Sequence, residues 1–170
     1  MFFFDEALKI YESLFSWDEA LSYLEERYSR TNDISVLNSL IGFSWYYLVE
    51  GPSVSKKYDN GESSLALYIW KKYIDLSLQN GVEDRSCLFI AGYTLSIDGY
   101  FLGTKYEKMG TLLMAKCAEI SNSLHLQKLA NHFLINQHAH EALPITARNL
   151  IVAQLFAGDS LVEKYFREVI

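Results

Sequence analysis

The chain has 170 residues and a mass of 19.6 kDa, enough for one compact domain but not for a second sizeable core. Hydrophobic residues make up 50% of the sequence and charged residues 21%, a balance that excludes intrinsic disorder as the main state. No uncharged run is long and apolar enough to span a bilayer, and the N-terminus lacks the basic segment of a secretory signal. With only two cysteines, the sequence predicts a soluble, cytoplasmic protein with a single helical domain over residues 1–170.

The formal net charge of −6 is concentrated near the N-terminus. Residues 1–50 hold nine acidic and three basic side chains, whereas residues 51–170 hold twelve of each. Because Lys and Arg must neutralise phosphates in a nucleic-acid complex, this distribution argues against a nucleic-acid partner. The acidic third either keeps the protein soluble or forms a docking face for a basic partner.

Apolar residues recur at helical spacing from the first segment onward. A first helix is predicted to bury one face that includes Tyr11, Leu14 and Phe15. Ser16 is predicted to begin a second helix, since Ser16 and Glu19 have the spacing of a capping box. The acidic residues that we expect to project outward from these two helices are Glu12, Asp18, Glu19, Glu25 and Glu26.

Helical periodicity continues through the rest of the chain, interrupted by one long loop over about residues 52–61. A mostly apolar helix over about residues 33–49 is predicted to be central and largely buried. Thr104 with Glu107 has a second capping-box spacing, and Asp159 is predicted to cap the last helix. No segment alternates as a strand does, so the predicted fold is all-α, with about nine helices in an irregular αα-hairpin stack or a compact helical bundle.

Side chains that carry chemistry do not form a catalytic pattern. The chain lacks a glycine-rich phosphate loop and a nucleophile motif, and Cys87 and Cys117 are predicted to be buried apolar residues. The sequence therefore predicts no enzyme activity, no cofactor and no metal. The histidines, whose spacing does not match a metal site, are His125, His132, His138 and His140.

Tyrosine is abundant, with 12 residues in the chain. Tyr23, Tyr58 and Tyr106 do not fit the apolar stripes, and Tyr23 lies beside the acidic positions of the second helix. A tyrosine among carboxylates suits a protein-binding face, because it offers a large contact area at little entropic cost. The residues predicted to bind a partner are Asp18, Glu19, Tyr23, Glu25 and Glu26.

The segment Phe43–Pro52 and the helical hairpins after it resemble the immunity proteins of contact-dependent growth-inhibition systems, a resemblance that covers roughly residues 16–135. It implies a cytoplasmic inhibitor that binds a toxin domain, often a basic nuclease, and blocks its active site or substrate face. Residues 150–170 resemble the turn of a tetratricopeptide hairpin.

Two functions follow as hypotheses from charge, tyrosine content and resemblance. The first is an immunity, or antitoxin, protein that neutralises a cognate toxin domain through an acidic, tyrosine-containing face. The alternative is a tetratricopeptide-like helical adaptor or scaffold for protein–protein interaction. Both require a protein partner, with neither nucleic acid nor membrane as the target, and the oligomeric state stays open.

Overall fold

The computed structural model describes residues 2–50, 65–79, 83–121, 124–135 and 145–170. Within these ranges the chain forms α-helices, one short 3-10 helix over Gly99–Leu102, and no strand, so the predicted all-α fold is confirmed. The nine α-helices of the described ranges are α1 (Glu6–Ser13), α2 (Trp17–Thr31), α3 (Ile34–Glu50), α4 (Leu65–Gln79), α5 (Arg85–Asp98), α6 (Thr104–Ile120), α7 (Leu124–Ile135), α8 (Ile145–Leu155) and α9 (Leu161–Val169).

The helices fall into two compact units. The first unit comprises residues 1–81 and 158–164, and the second comprises residues 82–157 and 165–170. Helices α1 to α4 therefore belong to the first unit and α5 to α8 to the second, while α9 begins in the first unit and ends in the second. That the whole chain forms a single domain stays a prediction.

Helix α3 is the centre of the first unit and packs against both α2 and α4. Its residues from Val36 to Trp45 are all buried, which confirms the predicted central helix. Trp17 of α2 packs on it, with its ring 6.3 Å from that of Phe43 and stacked at 6.0 Å on Tyr47. This aromatic contact fixes the first residue of α2 against α3. It therefore also fixes where the acidic side chains of α2 lie.

Helices α5 and α6 form a close antiparallel pair in the second unit. Two glycines permit the short distance between them: a Cβ on Gly110 would lie 2.5 Å from the Ser96 backbone nitrogen, and one on Gly92 would lie 3.0 Å from that of Met114. Any side chain at either position would force the two backbones apart.

The two cysteines are buried in this second unit, as predicted. The Cys117 thiol donates a hydrogen bond to the Arg85 carbonyl at 3.4 Å, and burial raises the pKa of both thiols to about 12. We therefore expect neither thiol of the native protein to react with an aromatic disulfide reagent at pH 8, while both react after unfolding in denaturant. Rapid labelling of the native protein, measured by mass spectrometry, would contradict the burial.

The two predicted capping boxes are not formed. Ser16 stands at the N-cap of α2, but its side chain makes no capping hydrogen bond. Thr104 is already the first residue of α6, and the N-cap is Gly103, with a φ of 103° that favours glycine. The capping-box spacing therefore predicted both helix starts to within one residue, but the side-chain hydrogen bonds of a capping box are not formed.

The last helix is capped by a neighbour of the predicted residue. Helix α9 begins at Leu161, and the Glu163 N–H donates to the Ser160 hydroxyl at 3.0 Å. The side chain of Glu163 is buried and accepts from the Gly158 N–H and from the Ser160 hydroxyl, both at 3.3 Å. Ser160, rather than Asp159, is therefore the cap, and Glu163 completes it.

Candidate functional site

Helices α1 and α2 of the first unit enclose an open cleft with a volume of about 390 Å³. Residues three and four apart share a face of a helix, so Asp18, Glu19 and Glu26 of α2 all reach this cleft. Four of the five residues predicted to bind a partner are brought together here, and Tyr11 and Ser22 were not among the predicted residues. The lining comprises Tyr11, Asp18, Glu19, Ser22, Tyr23 and Glu26.

Two tyrosine rings form one wall of the cleft. The rings of Tyr11 and Tyr23 are 5.9 Å apart between centroids and tilted by 50°. The Tyr23 hydroxyl donates a hydrogen bond to the carboxylate of Asp5 at 2.5 Å, and this bond is the largest cause of its raised pKa. Because Asp5 also caps α1 by accepting from the Leu8 N–H at 3.1 Å, the Tyr23 ring is held in place from outside the cleft.

The charged residues of the lining, Asp18, Glu19 and Glu26, are all acidic. Glu26 forms an ion pair with Arg30, one turn further along the exposed face of α2. Among the described residues no cation lies within ion-pairing distance of Asp18 or Glu19, and one carboxylate oxygen of Asp18 is buried without a hydrogen-bond partner. A cleft of carboxylates beside aromatic faces is suited to hold a Lys or Arg side chain, by ion pairing and by cation–π contact.

Glu25 has a different role from the other predicted residues. Its carboxylate accepts from the Lys72 ammonium at 2.6 Å and from the Tyr73 hydroxyl at 3.2 Å, so it joins α2 to α4. This contact raises the pKa of Lys72, while burial and the Glu25 charge raise that of Tyr73 to about 12. The structure thus gives Glu25 a role inside the fold, away from the cleft.

Glu12 was expected to project outward, and that expectation is wrong. Only 4% of the side chain is exposed, and both carboxylate oxygens accept from the Leu161 N–H, at 3.1 and 3.0 Å. Leu161 is the first residue of α9, so Glu12 fills the role of an N-terminal cap from a distant part of the sequence. Burial is the largest cause of the raised pKa of Glu12, and hydrogen bonds from the Leu161 and Val162 backbones partly offset it.

The end of α1 also differs from the predicted apolar face. Leu14 and Phe15 were expected to be buried, but they are 67% and 68% exposed, and Ile10 is 56% exposed. Leu14 caps the helix in a right-handed conformation, so it shares the exposed face of Ile10, one turn earlier. Phe15 follows with a left-handed φ of 54°, so helical spacing no longer governs where its side chain lies. These three exposed side chains of the first unit, Ile10, Leu14 and Phe15, are called the exposed apolar patch, and they flank Tyr11 of the cleft in the sequence.

The other singled-out tyrosines do not join the site. Tyr106 is buried with 7% of its side chain exposed, so its prediction as a residue outside the core is wrong. Tyr58 lies outside the described residues. Of the two singled-out tyrosines within the described residues, Tyr23 lines the cleft.

His132 is the histidine whose side chain lies within the described part of the structure. His138 and His140 lie outside the described residues, as does the side chain of His125. His132 is buried, and burial, aided by the charge of Arg148, lowers its pKa. Within the described ranges, no three His, Cys, Asp or Glu side chains come together in a way that could hold a metal ion.

Helix length and hydropathy bear on a membrane location. In the described part of the chain, every helix is too short or too polar to cross a bilayer.

Comparison of the chain with protein-family models, with curated proteins and with solved structures found no match.

Proposed function

We propose that this protein is an immunity protein, which binds a cognate toxin domain in the cytoplasm and neutralises it. The observation that carries the proposal is the acidic cleft between α1 and α2, where Asp18 and Glu19 lie without a described cation beside a tyrosine wall. A basic nuclease domain has the complementary charge, because its own substrate is a polyanion. The resemblance to immunity proteins of contact-dependent growth-inhibition systems supports the same class of partner.

The proposed mechanism has two steps. The negative field of the first unit steers a basic domain into an encounter, which increases the association rate at low ionic strength. A Lys or Arg side chain of the toxin then enters the cleft, where it meets the Asp18 and Glu19 carboxylates and the ring of Tyr23. Inhibition follows if that cation normally holds the nucleic-acid backbone, because the toxin can no longer bind its substrate.

A growth assay tests this function. An immunity gene is expected to follow its toxin gene directly, so the product of the preceding gene is expressed alone and together with this chain. We expect growth arrest in the first case and restored growth in the second, with a stable complex on gel filtration. A preceding product that does not arrest growth, or arrest that persists beside this chain at equal expression, would contradict the proposal. A stable complex without rescue would instead favour the adaptor.

A further inference from the structure

We infer that the exposed apolar patch of Ile10, Leu14 and Phe15 is the hydrophobic anchor of the same binding face, and that it docks into an apolar depression on the partner bordered by Lys or Arg. This inference rests on the proposed function for the class of partner. It adds the part of the interface that supplies contact area, whereas the cleft supplies charge recognition.

Phe15 has a strained backbone conformation at the end of α1. The Ser16 N–H donates to the Tyr11 carbonyl at 2.9 Å and the Phe15 N–H donates to that of Glu12 at 3.1 Å, which is the hydrogen-bond pattern of a Schellman motif. Phe15 occupies the left-handed position of this motif, with a φ of 54°. Glycine is the usual residue there, because a side chain strains this conformation.

No ring contact with the described residues offsets this strain at Phe15, whose side chain is 68% exposed. A bulky aromatic residue that is both strained and exposed lowers stability and solubility together. The arrangement is explained if the ring is buried by another molecule.

Neighbouring charge identifies the kind of molecule. The Ser16 N–H donates to the carbonyl of Tyr11, which lines the cleft, so the backbone that carries Phe15 lies beside the cleft wall. Asp18, also in the lining, follows Phe15 by three residues along the chain. A partner that covers the patch therefore meets the acidic cleft as well. A second copy of this chain in a twofold contact would bring its own Asp18 and Glu19 against the same carboxylates, and like charges repel. A surface with basic residues around an apolar depression complements both features.

Two substitutions at one position separate the ring from the strain. F15G removes the ring and relieves the left-handed backbone, whereas F15A removes the ring and retains the strain. We expect the melting temperature of F15G to equal or exceed that of the natural chain by up to about 4 °C, and that of F15A not to rise. L112A is the matched control, since Leu112 is 65% exposed on α6 of the other unit.

The binding probe is a fluorescein-labelled helical peptide with Lys on one face and Leu on the other, measured by anisotropy. A peptide of equal charge with Gln in place of Leu reports the electrostatic part alone. We expect F15G and F15A to weaken binding of the Lys/Leu peptide about tenfold, to leave the Lys/Gln peptide unchanged, and L112A to change neither.

The anchor is overturned if F15G and F15A bind the Lys/Leu peptide as well as the natural chain does. It is also overturned if the melting temperature of F15G falls by several degrees, because the ring would then pack on its own chain. Concentration-dependent dimers in sedimentation that F15G abolishes would also overturn it, because the occupant would then be a second copy. If the natural chain does not rescue growth but its binding of the Lys/Leu peptide still depends on Phe15, the immunity function alone is refuted. If the F15A variant rescues growth as well as the natural chain does, the anchor alone is refuted.

Discussion

Replacement of Glu12 by alanine is expected to lower the free energy of unfolding by about 2 kcal/mol, because it leaves a half-buried N–H group at the start of α9 without its acceptor. The Leu161 N–H donates to both oxygens of this carboxylate, and the side chain is 4% exposed, so water cannot readily replace it. Urea unfolding followed by circular dichroism measures the loss, as a lower midpoint at an unchanged slope.

Glu12→Gln is the control, since glutamine keeps one carbonyl acceptor and the shape of the side chain but has no charge to bury. The pKa of Glu12 is raised above its usual 4.5, so the folded protein binds this proton more tightly than the unfolded chain does. The stability that the proton contributes is fully present below the unfolded pKa and is lost as the pH rises through the folded pKa. The melting temperature of Glu12→Gln relative to the natural protein should therefore rise with pH over this range.

The opposite trend would mean that the hydrogen bonds and the dipole of α9 outweigh burial and hold the pKa of Glu12 down. An alanine variant as stable as the natural chain would show that water reaches the Leu161 N–H.

The helices were predictable from sequence because their apolar residues have a regular period that packing preserves. The central position of α3 followed from the same pattern, since apolar residues occur on most of its sides. The cleft was predictable in part: Asp18, Glu19, Tyr23 and Glu26 lie on adjoining positions of one helix, and local spacing decides which face they share.

The errors at Glu12 and Glu25 share a physical cause, which is that long-range contacts decide the role of a charged side chain. Glu12 and Glu25 have the same local pattern as the other acidic residues, but their partners are Leu161 and Lys72, distant in the sequence. The predicted burial of Phe15 was wrong for a local reason, because helical periodicity predicts nothing about a side chain beyond the last turn of the helix. An aromatic residue at the position usually taken by glycine is the sequence signal that could have marked it.

Reversal of both charges at the start of α2, in the variant D18K/E19K, is expected to slow association with the toxin domain at least about tenfold at low salt. Asp18 and Glu19 line the cleft and have no described cation beside them, so their field is free to act on an approaching basic surface. The difference should shrink as ionic strength rises past about 0.15 M, where the Debye length is about 8 Å. Stopped-flow association with a catalytically inactive toxin domain measures both effects.

The matched control is E107K/E119K. Both residues are exposed, so the control makes the same change in net charge on the second unit. Glu107 lies in the first turn of α6, as Asp18 and Glu19 lie in the first turn of α2, whereas Glu119 lies in the last turn of α6. Glu25 is excluded from the reversal because a lysine there would face Lys72 and weaken the α2–α4 contact. Equal association rates for D18K/E19K and the natural chain, with slower association for the control, would place the docking face on the second unit. The acidic cleft would then serve solubility alone.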